Sequence, residues 1–330
     1  MKIVIANNSK IPVEKYGGTE RVIWYLGLEL TKLGHKVEFL VPAGSSCTYA
    51  NVIPIDENKE IIEQIPKDTD VVHFNMTPSN IDLLQTPYII TQHGNFGESV
   101  QLNRNSVFVS SNHAIRYGSD SFVYNGLDWD DYSKPDLTKK RNYFHFLGKA
   151  AWRVKNVKGA INIIKKTKNE RLYVLGGNRL NLSMGFRFTL SPRVHFCGMI
   201  GGKRKDEYLM KSKGLIFPAL WHEPFGLAII ESLYFGCPVF STPYGSMQEL
   251  ITPQFGVLSN KLSVLADAVE NYSTFSNKDC HEYALENFNS AKMARAYLEK
   301  YERVLSGEIL NPVHPTLKEI QTSRFLDWFE

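Results

Sequence analysis

The sequence predicts an α/β protein built from two doubly wound parallel sheets with helices on both faces. Short β-rich runs alternate with amphipathic stretches along the chain, which is the pattern of βαβ units. The alternation stops at the polar stretch 128–141 and then starts again. A length of 330 residues suits two domains of roughly 100–200 residues each. We therefore expect a first domain over 1–135, a second over 136–310, and a helical tail over 311–330 that packs towards the first domain.

The first half of the chain contains one clear amphipathic helix among its predicted strands. Val22, Leu26 and Leu30 recur at helical spacing within 19–33, and Gly34 stands where a left-handed cap ends a helix. The predicted strands of this half cover 2–6, 36–41, 71–74, 88–91 and 106–110.

The second half repeats the same alternation, which predicts a second doubly wound sheet. The predicted strands cover 143–147, 171–175, 194–197, 215–217 and 239–241. The predicted helices cover 157–166, 206–211 and 225–235, and the chain beyond 262 has a mostly helical composition up to 305.

Composition and local sequence pattern argue against a membrane-spanning, a secreted and a metal-binding protein. The chain is 43% apolar and 22% charged, which is ordinary for a globular protein, and its apolar runs are far shorter than the ~20 residues that cross a bilayer. The first strand is followed at once by Asn7 and Asn8, so a secretory signal core is not predicted and we expect a cytoplasmic protein. The four cysteines lack metal-ligand spacing, and we expect neither a metal nor another cofactor.

The two halves of the chain carry opposite net charge. Residues 1–140 have a net charge of −4 and residues 141–330 have +8. Within the second half, 141–213 contains 17 basic and 3 acidic residues. Such a segment suits an anionic ligand, although a solvated basic face has the same composition. We expect no nucleic-acid partner.

Paired glycines lie between the first strand and the first helix. Gly17 and Gly18, within the sequence YGGTE, would let the backbone approach an anion at the helix N-terminus, although such glycines are also common in tight turns. The loop does not match G-x-G-x-x-G, and the second strand lacks a terminal acidic residue for a ribose. A nicotinamide-dependent dehydrogenase is therefore disfavoured.

One histidine stands at the end of a predicted strand. His93 follows the strand 88–91 directly and precedes Gly94. Open parallel sheets bind ligands at the carboxyl ends of their strands, so His93 is a candidate site residue, whereas a lone histidine is often structural.

Two glutamates flank the start of a predicted helix. Glu223 lies in the loop after the strand 215–217, and Glu231 lies about one and a half turns into the helix that Gly226 starts. Carboxylates accept hydrogen bonds from sugar hydroxyls, and helix N–H groups favour phosphates. The pair therefore suits a nucleotide sugar, whose diphosphate lies between two hydroxylated groups.

The segment from Glu223 to Glu231 resembles the Glu-x7-Glu signature of retaining glycosyltransferases of family 4. Further segments follow the order of that family: GGTE at 17–20, GHKV at 34–37, TQHG at 91–94, NGLD at 125–128, Gly148, Lys158-Gly159 and GCPV at 236–239. The resemblance covers nearly the whole chain. It implies the GT-B fold, in which two Rossmann-like domains face a cleft.

The resemblance also implies roles for individual residues on the donor side. Glu231 would bind the ribose hydroxyls of the donor, and Glu223 the hydroxyls of the transferred sugar. The backbone of Phe225, Gly226 and Leu227 would face the sugar and the phosphates.

On the opposite side, the resemblance places His93 beside the sugar and the amide of Gly18 near the diphosphate.

The cation that meets the diphosphate is less clear, because the family's Gly-Arg dipeptide is replaced by Gly148-Lys149. Arg153 lies five residues before Lys158, and we expect this pair to bind the diphosphate. Lys149 and Lys155 remain alternatives. A cation at this point would stabilise the charge that grows on the leaving group.

The implied activity is the metal-independent transfer of a hexose, with retention, from a nucleotide sugar to a glycan or a lipid-linked acceptor in surface polysaccharide synthesis. A UDP-sugar is favoured over a GDP-sugar. A non-catalytic nucleotide-sugar-binding protein and a nucleotide-sugar epimerase are the alternatives. Weak peripheral binding to a membrane would use the basic runs 139–141, 165–168 and 203–205, although the acidic first half of the chain slightly favours a soluble acceptor.

Overall fold

The computed structural model describes residues 1–13, 17–182 and 184–330. It divides these residues into two compact units. The first comprises Met1–Val13, Gly17–Asp128 and Phe288–Ile320, and the second comprises Trp129–Asn287 and Gln321–Glu330.

Both units are built from parallel strands and helices, most of which were predicted. In chain order the elements are β1 (Lys2–Ala6), α1 (Thr19–Lys32), β2 (Lys36–Val41), β3 (Asn51–Pro54), β4 (Val71–Phe74), β5 (Tyr88–Gln92), β6 (Ser106–Phe108), α2 (Ser111–Arg116), β7 (Tyr143–Leu147), α3 (Val157–Lys166), β8 (Leu172–Leu175), β9 (Leu180–Asn181), β10 (Arg187–Phe188), β11 (Val194–Phe196), α4 (Gly202–Met210), β12 (Ser212–Phe217), α5 (Leu227–Tyr234), β13 (Val239–Ser241), α6 (Met247–Leu250), β14 (Gly256–Leu258), α7 (Leu262–Glu270), α8 (Asn277–Asn287) and α9 (Ser290–Leu305).

The first unit contains a six-stranded parallel sheet with the order β3-β2-β1-β4-β5-β6. Its central strands are apolar and buried, as expected for a parallel sheet that is covered on both faces. The helix α1 buries Val22, Leu26 and Leu30, and Gly34 follows it with φ +86°, a conformation that glycine adopts without strain. The helix and its cap are therefore confirmed.

The second unit contains a second six-stranded parallel sheet, with the order β11-β8-β7-β12-β13-β14. A separate antiparallel hairpin, β9–β10, follows β8. The edge strands β3 and β14 were not predicted, because their runs are short and only partly buried. The carboxyl end of β12 leads to Glu223, and that of β5, in the first unit, leads to His93.

The division of the chain differs from the predicted one at both ends of the second domain. The first unit's N-terminal part ends at Asp128 instead of residue 135. The segment Phe288–Ile320, which includes α9, also belongs to the first unit. The reason is that α9 packs on α1 and β5, although it follows them in the chain by about 270 and 200 residues.

The last 20 residues form no helix, contrary to the prediction. Backbone hydrogen bonds hold them as an extended segment instead. Within the first unit, Leu102 N–H donates to Pro315 O, and Thr316 N–H to Tyr117 O. Within the second, Leu326 N–H donates to Leu220 O. Because a proline at 315 supplies no N–H, this segment is better suited to pairing with neighbouring loops than to a helix.

Among the described residues, no helix is both long enough and apolar enough to span a membrane.

Candidate functional site

The loop after β12 and the start of α5 form the centre of the candidate site. Gly226 caps α5 with φ +89° and ψ 73°, a left-handed conformation that suits glycine. The buried Phe225 precedes it, and its carbonyl accepts a hydrogen bond from Ser246 Oγ at 2.7 Å. These contacts fix the start of α5, so its first N–H groups, from Leu227 onward, have a defined position close to Glu223.

Glu223 is a buried carboxylate whose charge is compensated. Its Oε2 accepts from Lys155 Nζ at 2.5 Å and from Trp221 Nε1 at 2.8 Å. Its backbone is also fixed, because Ser246 N–H donates to Glu223 O at 3.0 Å, and a Cβ at Gly245 would lie 2.3 Å from the Glu223 nitrogen and oxygen. The carboxylate is therefore held in one position, with 7% of the residue exposed.

The Lys155 side chain lies between aromatic rings where it contacts Glu223. Its ammonium lies 4.8 Å from the ring centre of Trp221 and 5.1 Å from that of Phe217. The next residue, Asn156, caps α3 by accepting a hydrogen bond from Gly159 N–H at 2.9 Å. The cap fixes the chain direction at the point where the Lys155 side chain leaves it.

The pair predicted to bind the diphosphate, Arg153 and Lys158, has surroundings that differ from those of Lys155, and its role stays a prediction. Both predicted cations are exposed, and they line a cavity of about 490 Å³ together with Trp152 and Trp328. The Arg153 guanidinium lies over the ring of Phe325 at 5.0 Å. Because α3 starts at Val157, Lys158 lies in the first turn of the helix, three residues after Lys155.

Glu231 is more deeply buried than Glu223, at 2% exposure. Its Oε1 accepts from Tyr132 OH at 2.8 Å and forms an ion pair with Lys205. The Lys205 ammonium also lies 4.9 Å from the centre of the Tyr132 ring. Sequence reasoning treated Lys205 as part of a surface run and missed this contact, although helical spacing turns it to the opposite side of α4 from Lys203.

A buried histidine fixes α5 against the sheet. His145 on β7 bonds to Ser212 Oγ through Nδ1 at 2.7 Å and to Ser232 Oγ through Nε2 at 2.8 Å. Burial lowers its pKa to about 3, so the ring is neutral at pH 7. Ser232 directly follows Glu231, and His145 therefore supports the position of that carboxylate. His145 lies within a buried strand, and the sequence pattern of that strand did not indicate this role.

In the first unit, His93 lies directly after β5, as predicted. Its Nε2 donates to Asn75 Oδ1 at 2.8 Å, and burial lowers its pKa to about 4. The imidazole is therefore neutral at pH 7, which suits a hydrogen-bonding role better than an ionic one.

The glycine loop is closely packed where it is described. Gly17 O accepts from Arg21 Nε at 2.8 Å, and a Cβ at Gly17 would lie 2.7 Å from both Glu20 and Val13. Gly18 stands at the N-cap of α1. Tyr16, which completes the predicted motif, lies outside the described residues.

The remaining charged groups form neither a metal site nor three continuous basic patches in the part of the chain that the structure describes. Within 1–13, 17–182 and 184–330, no cluster of three or more His, Cys, Asp or Glu residues could bind a metal ion. Of the three predicted basic runs, two are interrupted by buried cations. Arg141 donates to Phe235 O at 2.7 Å, and Lys205 pairs with Glu231. In the remaining run, Lys165, Lys166 and Lys168 are all exposed.

The second unit has a sequence similar to that of a known protein family. The profile of the family "Glycosyl transferases group 1" matches residues 128–279, which include Lys155, Glu223 and Glu231. In a search of curated proteins, no sequence matches the chain.

Solved structures of low sequence identity share the fold. The glycosyltransferase AviGT4, involved in avilamycin A biosynthesis, is 20% identical with a TM-score of 0.74, over 93% of this chain and 98% of that one. Sucrose-phosphate synthase from Thermosynechococcus elongatus is 16% identical with a TM-score of 0.70, over 93% and 100%. HepE from Anabaena, solved with UDP and glucose, is 13% identical with a TM-score of 0.68, over 92% and 99%.

These neighbours are GT-B glycosyltransferases, and the two parallel six-stranded sheets of this chain are the two Rossmann-like domains of that fold. The likeness to the glycosyl transferases group 1 family lies in residues 128–279 of the chain.

Proposed function

We propose that this protein transfers a hexose from a nucleoside diphosphate sugar to a hydroxyl of a glycan or a lipid-linked acceptor, with retention of anomeric configuration. The observation that carries the proposal is the buried pair of Lys155 and Glu223 at the N-terminus of α5. In this pair a cation and a carboxylate that can accept hydrogen bonds from hydroxyls lie beside the N–H groups of a helix. The UDP-glucose complex of HepE, a structural neighbour, supports a UDP-sugar as the donor.

The donor would bind to the second unit. Lys155 and the first N–H groups of α5 would compensate the diphosphate, while Glu223 would accept hydrogen bonds from the hydroxyls of the sugar. Glu231 would bind the ribose hydroxyls of the donor. His93, in the first unit, has a neutral imidazole that would suit a hydrogen bond to a sugar hydroxyl.

Glu223 is poorly suited to act as a nucleophile. An ion pair and an indole N–H already bind its Oε2, which lowers the availability of its lone pairs. We therefore propose a front-face departure, in which an oxygen of the leaving phosphate takes the proton of the acceptor hydroxyl as the glycosidic bond forms. The acceptor oxygen then bonds to the anomeric carbon on the face that the diphosphate leaves.

The proposed mechanism needs no metal, because lysine and helix N–H groups neutralise the phosphates. Activity should persist in excess EDTA. A loss of activity that Mg²⁺ or Mn²⁺ restores would contradict this part of the proposal.

Substitution of Lys155 tests the assignment of the site. We expect Lys155→Met to lower kcat by about 10²-fold or more, because it removes a cation that acts on the leaving group. Lys158→Met is the matched control: it removes an exposed lysine three residues away and should leave kcat within about threefold. Release of nucleoside diphosphate, measured with UDP-, GDP- and ADP-glucose, provides the readout.

The same assay separates the alternatives. Nucleotide binding without turnover over a broad panel of acceptors would indicate a binding protein. Interconversion of the donor sugar without any acceptor would indicate an epimerase. Equal activity of the Lys155 and Lys158 variants would contradict the assignment of Lys155 to the diphosphate.

The proposed setting is the synthesis of a surface polysaccharide at the cytoplasmic side of a membrane. It rests on the resemblance in sequence and on the basic character of 141–213.

A further inference from the structure

The cavity of about 490 Å³ in the second unit has three walls, which come from distant parts of the chain. They are the loop between β7 and α3, the turn of the hairpin β9–β10, and the segment 325–330. The volume is in the range of small-molecule sites and suits roughly two sugar residues. Lys155 and Glu223 are outside this lining as the described residues form it, so the proposed donor site does not use the cavity.

Backbone hydrogen bonds and close packing hold the three walls together. Leu220 N–H donates to Val154 O at 2.7 Å, and Leu326 N–H donates to Leu220 O at 2.9 Å. A Cβ at Gly185 would lie 3.6 Å from Arg153 Cδ, so the turn of the hairpin touches the first wall. A cavity with fixed walls loses little conformational freedom when a ligand binds.

Large apolar side chains in the lining remain accessible to solvent. Trp152 is 37% exposed, Met184 52% and Phe186 75%, while Phe325 and Trp328 are half-buried. Exposed apolar groups gathered around a cavity are typical of a ligand-binding groove. Aromatic rings in particular offer flat surfaces on which the apolar C–H faces of a pyranose can pack.

The same lining contains cations whose charge is not compensated. In the part of the chain that the structure describes, the side chains of Arg153 and Lys158 form neither an ion pair nor a hydrogen bond, and the Arg153 guanidinium lies over the Phe325 ring. Glu330 also lines the cavity, and its Oε1 accepts from Asn162 Nδ2 at 2.9 Å. Because guanidinium and ammonium groups only donate hydrogen bonds, the two cations favour a ligand with carboxylate or phosphate oxygens.

Two lining residues also contain buried donors that lack a partner among the described residues. These donors are Asn156 Nδ2 and Trp328 Nε1. Buried N–H groups of native proteins are nearly always bound by protein, water or a ligand. A ligand rich in oxygen atoms is the kind that such donors require.

We propose that this cavity is a second saccharide site, which binds an acidic saccharide separately from the donor. Sugar rings would pack on Trp152 and Phe186, while a carboxylate or phosphate of the saccharide would meet Arg153 and Lys158. Uronic acids and phosphorylated sugars share this chemistry. The Trp152 ring centre lies 6.0 Å from that of Trp221, so the saccharide would be held next to the proposed donor site. The inference goes beyond the proposed function, because the site binds a saccharide without acting on the reacting atoms.

Titration with digalacturonic acid in the absence of a donor tests the proposal, with tryptophan fluorescence and calorimetry as readouts. Trp152 and Trp328 line the cavity, so a bound saccharide should change the fluorescence. We expect digalacturonic acid or glucose 6-phosphate to bind at least about tenfold more tightly than maltose, which is neutral, and the affinity to fall as salt rises. The tighter of the two acidic ligands identifies carboxylate or phosphate as the preferred group.

Substitution of the cations tests the location of the site. The double variant Arg153→Gln, Lys158→Gln should bind the tighter acidic ligand about tenfold more weakly or worse. The matched control is Lys165→Gln, Lys166→Gln, which removes two exposed lysines from the last turn of α3 and should leave the affinity unchanged. UDP affinity should be the same in both variants. If the first variant loses UDP affinity to the same extent, its two cations bind the diphosphate and the proposal is wrong.

Substitution in the hairpin tests the apolar wall. Phe186→Ser should weaken saccharide binding by about threefold or more, because a ring no longer packs on the sugar. Leu182→Ser removes a side chain of similar exposure, 73% against 75%, from the same hairpin but outside the described lining, and should have no effect. Equal effects would contradict the proposed contact.

Three further results would overturn the proposal: no binding of either acidic ligand at low salt, binding of maltose as tight as that of the acidic ligands, or equal losses in the cation and control variants. The titrations contain no donor, so they do not depend on turnover. A protein that binds the acidic ligand but never transfers sugar would contradict the proposed function and leave this second site intact.

Discussion

Glu223 and Glu231 are both buried carboxylates paired with a lysine, but their surroundings differ. Glu223 lies in a loop, with an indole and a lysine at the same oxygen. Glu231 lies inside α5, and its partners Tyr132 and Lys205 come from other segments of the second unit. The first arrangement leaves a carboxylate beside the start of a helix, whereas the second also ties together three parts of the fold.

Exchange of each glutamate for glutamine should separate the two roles. We expect Glu223→Gln to lower kcat by about 10²-fold with a smaller change in UDP affinity, because its contact with the sugar strengthens in the transition state. Glu231→Gln should weaken UDP binding more than it lowers kcat, since a ribose contact is the same in both states. Calorimetric titration with UDP and steady-state rates measure the two effects. Equal losses of UDP affinity would contradict this division.

Gly245 should be far less tolerant of substitution than its conformation alone suggests. A Cβ there would lie 2.3 Å from backbone atoms of Glu223, and φ is +67°. Gly198 is the matched control, because its φ of +72° is similar but no atom lies within 4 Å of the added Cβ. Gly198→Ala should cost about 1 kcal/mol of unfolding free energy and Gly245→Ala about 1–3 kcal/mol more. Urea denaturation gives both values, and equal costs would show that the contact with Glu223 is unimportant.

At the scale of elements, α9 joins the first unit through a buried polar network. His73 on β4 bonds to Tyr301 OH through Nδ1 at 2.8 Å and to Thr91 Oγ1 through Nε2 at 2.7 Å. Tyr297 OH also bonds to Thr91 Oγ1, at 3.0 Å. Two tyrosines one helical turn apart thus attach the helix to β4 and β5, in addition to its apolar packing.

Removal of the two tyrosine hydroxyls should have unequal effects. Tyr301→Phe leaves the buried Nδ1 of His73 without its partner, which costs about 1–3 kcal/mol of unfolding free energy. Tyr297→Phe should cost less, because Thr91 Oγ1 keeps its bond to His73. Both variants preserve the ring, so packing is matched between them. A larger cost for Tyr297→Phe in urea denaturation would show that the network is not ordered as described.

At the scale of the whole molecule, buried neutral histidines make stability depend on pH. Burial lowers the pKa of His73, His113 and His145 to about 3 and that of His93 to about 4, from a usual value of 6.5. Below pH 6.5 the unfolded chain binds protons that the folded chain does not. Stability therefore falls as pH decreases from 6.5, and the loss from these groups ends once the pH is below their folded pKa values.

Between pH 7.5 and pH 5 each of these histidines should remove about 2 kcal/mol of unfolding free energy. Three of them lie in the first unit and one, His145, in the second. We expect the first unit to be the more sensitive to acid, so that a single urea transition at pH 7.5 divides into two at pH 5. Intrinsic fluorescence followed against urea measures this. Stability independent of pH over this range would contradict the burial of these rings as neutral groups.

Local pattern was sufficient for much of the fold and for the two glutamates. The alternation of β-rich runs with amphipathic stretches depends on which faces are buried, and this periodicity is present in the sequence itself, as Val22, Leu26 and Leu30 in α1 illustrate. Glu223 and Glu231 could be selected because they lie eight residues apart, within one loop and one helix. Their roles remain predictions, as do those of His93, Phe225 and the glycines.

Contacts between distant segments required the tertiary structure. Lys155 meets Glu223 across 68 residues of sequence, and Lys205 meets Glu231 across 26, so neither partner could be selected by spacing. The position of α9 in the first unit and the course of the tail have the same origin. Sequence periodicity specifies that a segment has two faces, but the free energy of long-range packing decides which face meets the protein and which meets solvent.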